Sequence, residues 1–191
     1  MKREEIQITL VDAEQKHAKA LLDFYKKVGG ESDFISFTSQ GLGINQEQEQ
    51  RYLKSIQESL NNRVLIALLD DEIIGVASIG APEGSKEEHV GELGISILRR
   101  FWSLGLSHVL MEDMLGWAKE SPILRYIRLE VNVNNVRAIK LYEKFHFEEL
   151  GGIPGGQYAQ GHFQDTLIMG LSVLNDQQDA DDALQASSEE E

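Results

Sequence analysis

Ile6, Ile8 and Leu10 alternate with polar neighbours, which predicts a strand over residues 5–11. Apolar residues at helical spacing predict a helix over 13–28, ended by Gly29-Gly30. Residues 31–43 show no period and read as a loop that shapes a substrate pocket. Asn45 can cap a second helix over 46–60, with Tyr52, Leu53, Ile56 and Leu60 on its buried face. Two β-rich runs, 63–69 and 73–80, flank Asp70-Asp71-Glu72 and predict a hairpin. A strand over 89–98 follows, then a basic turn at Arg99-Arg100 and a helix over 105–119. Beyond Ser121-Pro122 the pattern predicts a strand over 127–133, a helix over 135–145 and a strand starting at 147. A Gly-rich loop over 151–162 and a last strand over 164–174 complete the chain. The order β-α-α-β-β-β-α-β-α-β-β predicts a mixed α+β domain over residues 1–174, its helices crossing a largely antiparallel, twisted sheet.

The acidic balance, 32 Asp and Glu against 18 Lys and Arg for a formal charge of -14, opposes nucleic-acid and anionic membrane partners. It favours a cationic or amine-bearing partner. Seven of the acidic residues fall in 175–191, which reads as a solvating, disordered tail. With no cysteine in the chain, thiol nucleophiles, Cys-ligated zinc and disulfides are excluded. The five histidines, His17, His89, His108, His146 and His162, form no close ligand pair, so no metal site is expected. No apolar run is long enough for a signal peptide or a bilayer span, and the expectation is a soluble cytoplasmic protein.

The stretch from Ile95-Ser96-Ile97 through Arg99-Arg100 to Ser103-Leu104-Gly105-Leu106-Ser107-His108 is a strand, a basic turn and a helix start. A helix start leaves N–H groups unpaired and carries the positive end of the helix dipole, which suits a phosphate or pyrophosphate. Gly105 and Ser107 are small enough to let such a group approach, and the two arginines either add attraction or form a solvated pair.

This segment resembles the coenzyme A signature of the GNAT superfamily of N-acetyltransferases, Arg/Gln-x-x-Gly-x-Gly/Ala. Here it reads Trp102-Ser103-Leu104-Gly105-Leu106-Ser107, with Trp102 and Ser107 departing from the pattern. A second stretch, 129–147, resembles the family's strand followed by Asn-x-x-Ala-x-x-Leu-Tyr-x-x-x-Gly-Phe. Asn135, Ala138, Leu141, Tyr142 and Phe147 fall in register, and His146 stands where Gly is usual. The resemblance covers roughly residues 5–172.

It implies an enzyme that uses acetyl-CoA and transfers the acetyl group directly to a primary amine. The cofactor would lie on Ile95, Ser96, Ile97 and the segment 103–108, with Asn135 beside it. Tyr142 would protonate the leaving thiolate, and a backbone N–H near Ile97, where the family's strand bulges and splays, would meet the oxyanion. Glu130 and Glu92 are the candidate bases, each with the alternative of an ordinary surface or salt-bridged carboxylate, or of a relay through water. Asn135 also reads as a helix cap and Tyr142 as a core aromatic. Tyr158 and His162 read as parts of a plain connecting hairpin. Homodimers are common in the resembled family. The competing reading is a CoA-binding or interaction module that kept the fold without the activity. A nucleotide-binding loop built on Gly105 is disfavoured because no Gly-Lys-Ser/Thr or Gly-x-Gly-x-x-Gly pattern is present.

Overall fold

The structure, a computed structural model, describes residues 7–174. The acidic tail lies outside the described residues, as does Ile6 of the first predicted strand. Seven strands form one sheet in the order β1-β2-β3-β4-β5-β7-β6. They are β1 (Ile8–Asp12), β2 (Arg63–Leu69), β3 (Glu72–Gly80), β4 (Val90–Ile97), β5 (Tyr126–Asn132), β6 (Glu148–Ala159) and β7 (His162–Ser172). Four helices, α1 (Ala18–Glu31), α2 (Gln46–Ile56), α3 (Leu106–Glu120) and α4 (Val136–Lys144), take the predicted places between them.

Neighbouring strands pair antiparallel except β4 and β5, which are parallel. A parallel pair needs a crossover, and α3 supplies it. Its Leu110, Met111 and Met114 are fully buried over the sheet face that Gly75 shares with Ala77 and Ile79, where a Cβ on Gly75 would meet Leu106 and Leu110.

Local chemistry sets most boundaries. Asn45 Oδ1 accepts from Gln48 N–H at 2.9 Å while Gln48 Oε1 accepts from Asn45 N–H at 2.8 Å, a capping box that starts α2. The β2–β3 hairpin turns at Asp70, whose φ of 54° suits a short polar residue.

Four expectations are corrected. The first predicted helix is a 3₁₀ turn, Gln15–His17, followed by α1, which continues through Gly29-Gly30 to Glu31. Gly29 does not stop the helix. A Cβ there would lie 2.1 Å from the Thr38 carbonyl oxygen, so glycine serves the close passage of the 33–45 loop. The helix predicted over 46–60 ends at Ile56. Its buried face is made by Glu49, Leu53 and Ile56, while Tyr52 and Leu60 are exposed.

The Gly-rich segment 151–162 is not a loop. It is most of the 12-residue β6 and a tight turn at Gln160-Gly161 into β7. Register shifts at Glu149/Gly151 and Ile153/Gln157 absorb its glycines. At Gly156 a Cβ would sit 2.2 Å from Thr166 Oγ1, so only glycine lets β6 lie this close to β7.

Finally, β4 does not bulge near Ile97. Its register with β3 runs without a shift from Gly80↔Glu92 to Gly75↔Ile97.

Candidate active site

Pairing between β4 and β5 covers only Val90↔Tyr126, Gly91↔Ile127 and Glu92↔Arg128. Beyond Glu92 the strands part, because β4 keeps to β3 while β5 keeps to β7 as far as Asn132↔Thr166. The splay leaves backbone groups without a ladder. Leu98 N–H donates to Ile74 O on the β3 side. Successive residues of a strand turn alternate ways, so Ile95 and Ile97 direct their N–H groups toward the gap. The Ile97 carbonyl is taken by Trp102 Nε1–H at 2.8 Å, which ties the turn before α3 back onto the strand end.

One cavity of about 860 Å³ passes through this gap. On one face of the sheet it meets α3 and α4. On the other it meets Glu92, Gly94 and Ser96 of β4, Glu130 and Asn132 of β5, Gly156, Gln157 and Thr166 of the hairpin, and Phe34–Phe37 beyond α1.

The α3 side is built on backbone. Ser103 (φ 67°) and Gly105 (φ 82°) fold the chain tightly into the helix. Gly105 O accepts from His108 N–H and Val109 N–H, leaving Leu106 and Ser107 N–H ahead of the first intrahelical bond, with no side-chain cap. Ser103, Gly105, Leu106 and Ser107 line the cavity, whereas Leu104 points outward, 62% exposed, and His108 packs on Phe145 at 4.7 Å between ring centroids and pairs with Glu112. Neither arginine of the basic turn lines it. Arg99 stacks on Trp102, and Arg100 pairs with Glu72 and stacks on Phe101. The cations on the cavity come instead from α4: Arg137, Lys140 and Lys144. Their spacing of three and four placed them on one helical stripe, a signal available in the sequence but not read there.

Asn135 caps α4, its Oδ1 accepting from Ala138 N–H at 3.2 Å, and also lines the cavity, so both of its readings hold. Tyr142 is buried and tilted against Phe147 at 5.9 Å, yet it too lines the cavity. Burial pushes its phenol up to about 12, so it stays protonated through neutral pH. His146 lies off the cavity. It closes α4 at φ 66°, with Phe147 N–H bonded to Tyr142 O and His146 N–H to Glu143 O, a helix end that normally takes glycine.

The opposite side is built on side chains. Glu130 accepts a short hydrogen bond from the buried Thr166 hydroxyl beside Gly156. Glu92, at the last paired position, meets Arg128 at 3.5 Å with 64% of its side chain exposed. Below them, Asn132 Nδ2 donates to Gln157 Oε1 and Gln164 Oε1, both at 2.7 Å. Gln157 Nε2 in turn donates to the carbonyls of Asp33 (3.0 Å) and Ile35 (2.9 Å), and Gln160 Nε2 to Asp33 Oδ2 (2.8 Å). These bonds fasten the loop after α1 over the cavity as a roof. The sequence predicted a loop here but not Gln157, Gly156 or Thr166, which reach the cavity only through strand pairing.

A family model described as Acetyltransferase (GNAT) family matches residues 33–147. The chain belongs to the GNAT acetyltransferase family. A GNAT-family acetyltransferase of Streptococcus pneumoniae is 34% identical and superposes with a TM-score of 0.84 over 87% of this chain and 99% of that one. The L-amino acid N-acetyltransferase AaaT of Escherichia coli K12 is 31% identical over 107 residues, 55% of this chain. That match spans 65% of AaaT, just under two thirds of its length. The fold is also that of a GNAT phosphinothricin acetyltransferase from Sinorhizobium meliloti solved with acetyl-CoA, at 16% identity and a TM-score of 0.73 over 86% of this chain and 88% of that one. GNAT enzymes use acetyl-CoA. The residues present fit it: free N–H groups at the start of α3 for the pyrophosphate, an open strand edge at Ile95 and Ile97, and three cations along α4. Among the described residues no three His, Asp or Glu side chains cluster as metal ligands, and no helix is long and apolar enough to cross a membrane.

Proposed function

We propose that this chain is an acetyl-CoA-dependent N-acetyltransferase that acetylates a primary amine by direct transfer. The single observation that carries the reading is the cavity running through the β4–β5 gap. It joins the α3 start and Tyr142 on one face to Glu130 on the other.

Acetyl-CoA supplies the thioester, and the protein supplies geometry and protons. Leu106 and Ser107 N–H, at the positive end of α3, hold the pyrophosphate, with Arg137, Lys140 and Lys144 adding attraction. Ile95 and Ile97 N–H stand on the open edge where negative charge develops on the thioester oxygen. Glu130 lies two residues beyond Arg128 on β5, level with the opened part of β4, and takes the proton from the ammonium so that a neutral amine can attack. Glu92 sits at the vertex, bound to Arg128, and is the weaker candidate.

Tyr142 stays a donor and serves the leaving sulfur from the other face. An ordinary thiol has a pKa of about 8.5, so complete proton transfer from a phenol at about 12 is uphill unless the thiolate is raised by the same dry surroundings. Tyr142 therefore stabilises the thiolate mainly as a hydrogen-bond donor while the bond breaks.

Tyr142→Phe tests the reading by thiol release from acetyl-CoA. The substitution should lower kcat by about 10²-fold and leave the KM for acetyl-CoA within about twofold, since the ring remains and only the hydroxyl is lost. Loss of Tyr142 as a proton donor should not limit the wild-type rate up to about pH 11. A descending limb near pH 9 that vanishes in Tyr142→Phe would contradict the raised pKa. Unchanged kcat would remove Tyr142 from the mechanism. Absence of acceptor-dependent release in the wild type would favour a CoA-binding module without activity.

A further inference from the structure

The two mouths of the cavity differ in charge. Its cations, Arg137, Lys140 and Lys144, all stand on α4, on the side where the α3 start receives phosphates. The opposite mouth presents Glu130 and Glu92 on adjacent strands, with Phe34, Ile35 and Phe37 forming an apolar wall held by Gln157. Arg128 lies on the same face, two residues from Glu130, with its guanidinium turned to Glu92 at 3.5 Å, and it is not part of the cavity wall. Glu92, Arg128 and Glu130 together leave one net negative charge.

An α-amino acid entering this mouth with its amine at Glu130 must bring its own carboxylate to within a few ångströms of that charge. Glu92, Arg128 and Glu130 are all exposed, and like charges at that distance still repel beside a protein surface, where the effective dielectric is well below that of bulk water. An amine whose α-carbon carries hydrogen or a neutral amide in place of the carboxylate meets no such cost, and its body can cover Phe34, which is 38% exposed and faces the cavity.

Building on the transferase reading above, we infer that the acceptor is an amine on an apolar or aromatic body without a free carboxylate beside it. An arylalkylamine or the N-terminus of a peptide with an apolar first residue has this chemistry; a free amino acid, the class named for the Escherichia coli relative, does not.

The test uses the full chain, acetyl-CoA and four acceptors: phenethylamine, L-phenylalaninamide, L-phenylalanine and methylamine. Rates are referred to the concentration of free amine at each pH. The first two should exceed L-phenylalanine in kcat/KM by at least about tenfold, and methylamine, which lacks the body, should fall below them by a similar factor. Glu92→Gln releases Arg128 to meet a carboxylate and should narrow the preference against L-phenylalanine by at least about threefold. That ratio is independent of any loss of overall rate in the variant. L-Phenylalanine equalling or exceeding its amide would overturn the inference while leaving the transferase reading intact. So would a preference that Glu92→Gln does not move, and methylamine matching phenethylamine would remove the apolar wall from it. Release with none of the four would overturn the acceptor class, and release with none of a wider amine panel would overturn the transferase reading beneath it.

Discussion

The two mouths of the cavity are made in different ways. The α3 mouth is built on one continuous stretch, from Ile95 to Ser107, whose main-chain N–H groups are set by a strand end, a tight turn and a helix start, with side chains of α4 beside it. The Glu130 mouth gathers side chains from the loop after α1, β4, β5 and the β6–β7 hairpin, with Gln157 bonded to carbonyls more than 120 residues earlier in the chain. A backbone site tolerates side-chain change. That explains how Trp102 and Ser107 can stand at signature positions without spoiling the turn, Trp102 even adding a bond to Ile97 O. A side-chain site does not tolerate it.

The contrast is sharpest at Glu130. Glu130→Gln keeps the shape and the Thr166 partner but removes the proton acceptor, and should lower kcat/KM for the amine by about 10²-fold or more. Rates that recover at high pH, where the amine is already neutral, would mark the lost function as proton removal. Equal loss at every pH would make Glu130 a structural carboxylate. Gln157→Ala unfastens the roof. It should raise the KM for the amine by about tenfold while the KM for acetyl-CoA stays within about twofold, and equal changes in both would erase the division between the mouths.

A smaller effect is expected behind the roof, where α2 packs on α1. Glu49 is buried beside Tyr25 and Tyr52, and burial raises its carboxyl above the ordinary 4.5. The folded chain then holds this proton more tightly than the unfolded chain. Stability contributed at Glu49 is therefore present at low pH and lost as pH rises from about 4.5 through the raised value. Glu49→Gln should raise Tm by a few degrees at pH 7, with the gain vanishing at pH 4 in thermal scans. A gain that persists at pH 4 would mean that packing, not charge, is responsible. The smallest effect is at the end of α4, where His146 occupies a left-handed conformation. His146→Gly should stabilise by about 1 kcal/mol in denaturant titrations and leave both KM values unchanged, because the residue lies off the cavity.

Element order was legible because hydrophobic periodicity and capping are local. The Asn45 box, the Asp70 hairpin and the Asn135 cap each lie within a few residues of the structure they dictate. Two of the errors arose where glycine served a distant neighbour. Gly29 makes room for Thr38 and Gly156 for Thr166, and neither demand is visible in the segment that contains the glycine. The same holds for the site. Tyr142, Asn135 and the α3 start came from contiguous motifs, whereas Phe34, Gln157 and Thr166 carry no motif of their own.

By itself, then, the sequence determined the order of strands and helices, a helix start with unpaired N–H groups after Gly105, and two carboxylates, Glu92 and Glu130, within strands, since each depends on neighbours along the chain. Only the tertiary structure decided that β4 and β5 part without a bulge. It alone placed the cavity's cations on α4 rather than at Arg99-Arg100, and it alone showed Arg128 turned to Glu92 and the loop after α1 fastened by Gln157. These depend on strand pairing across the sheet, where one register brings together residues that no local pattern connects.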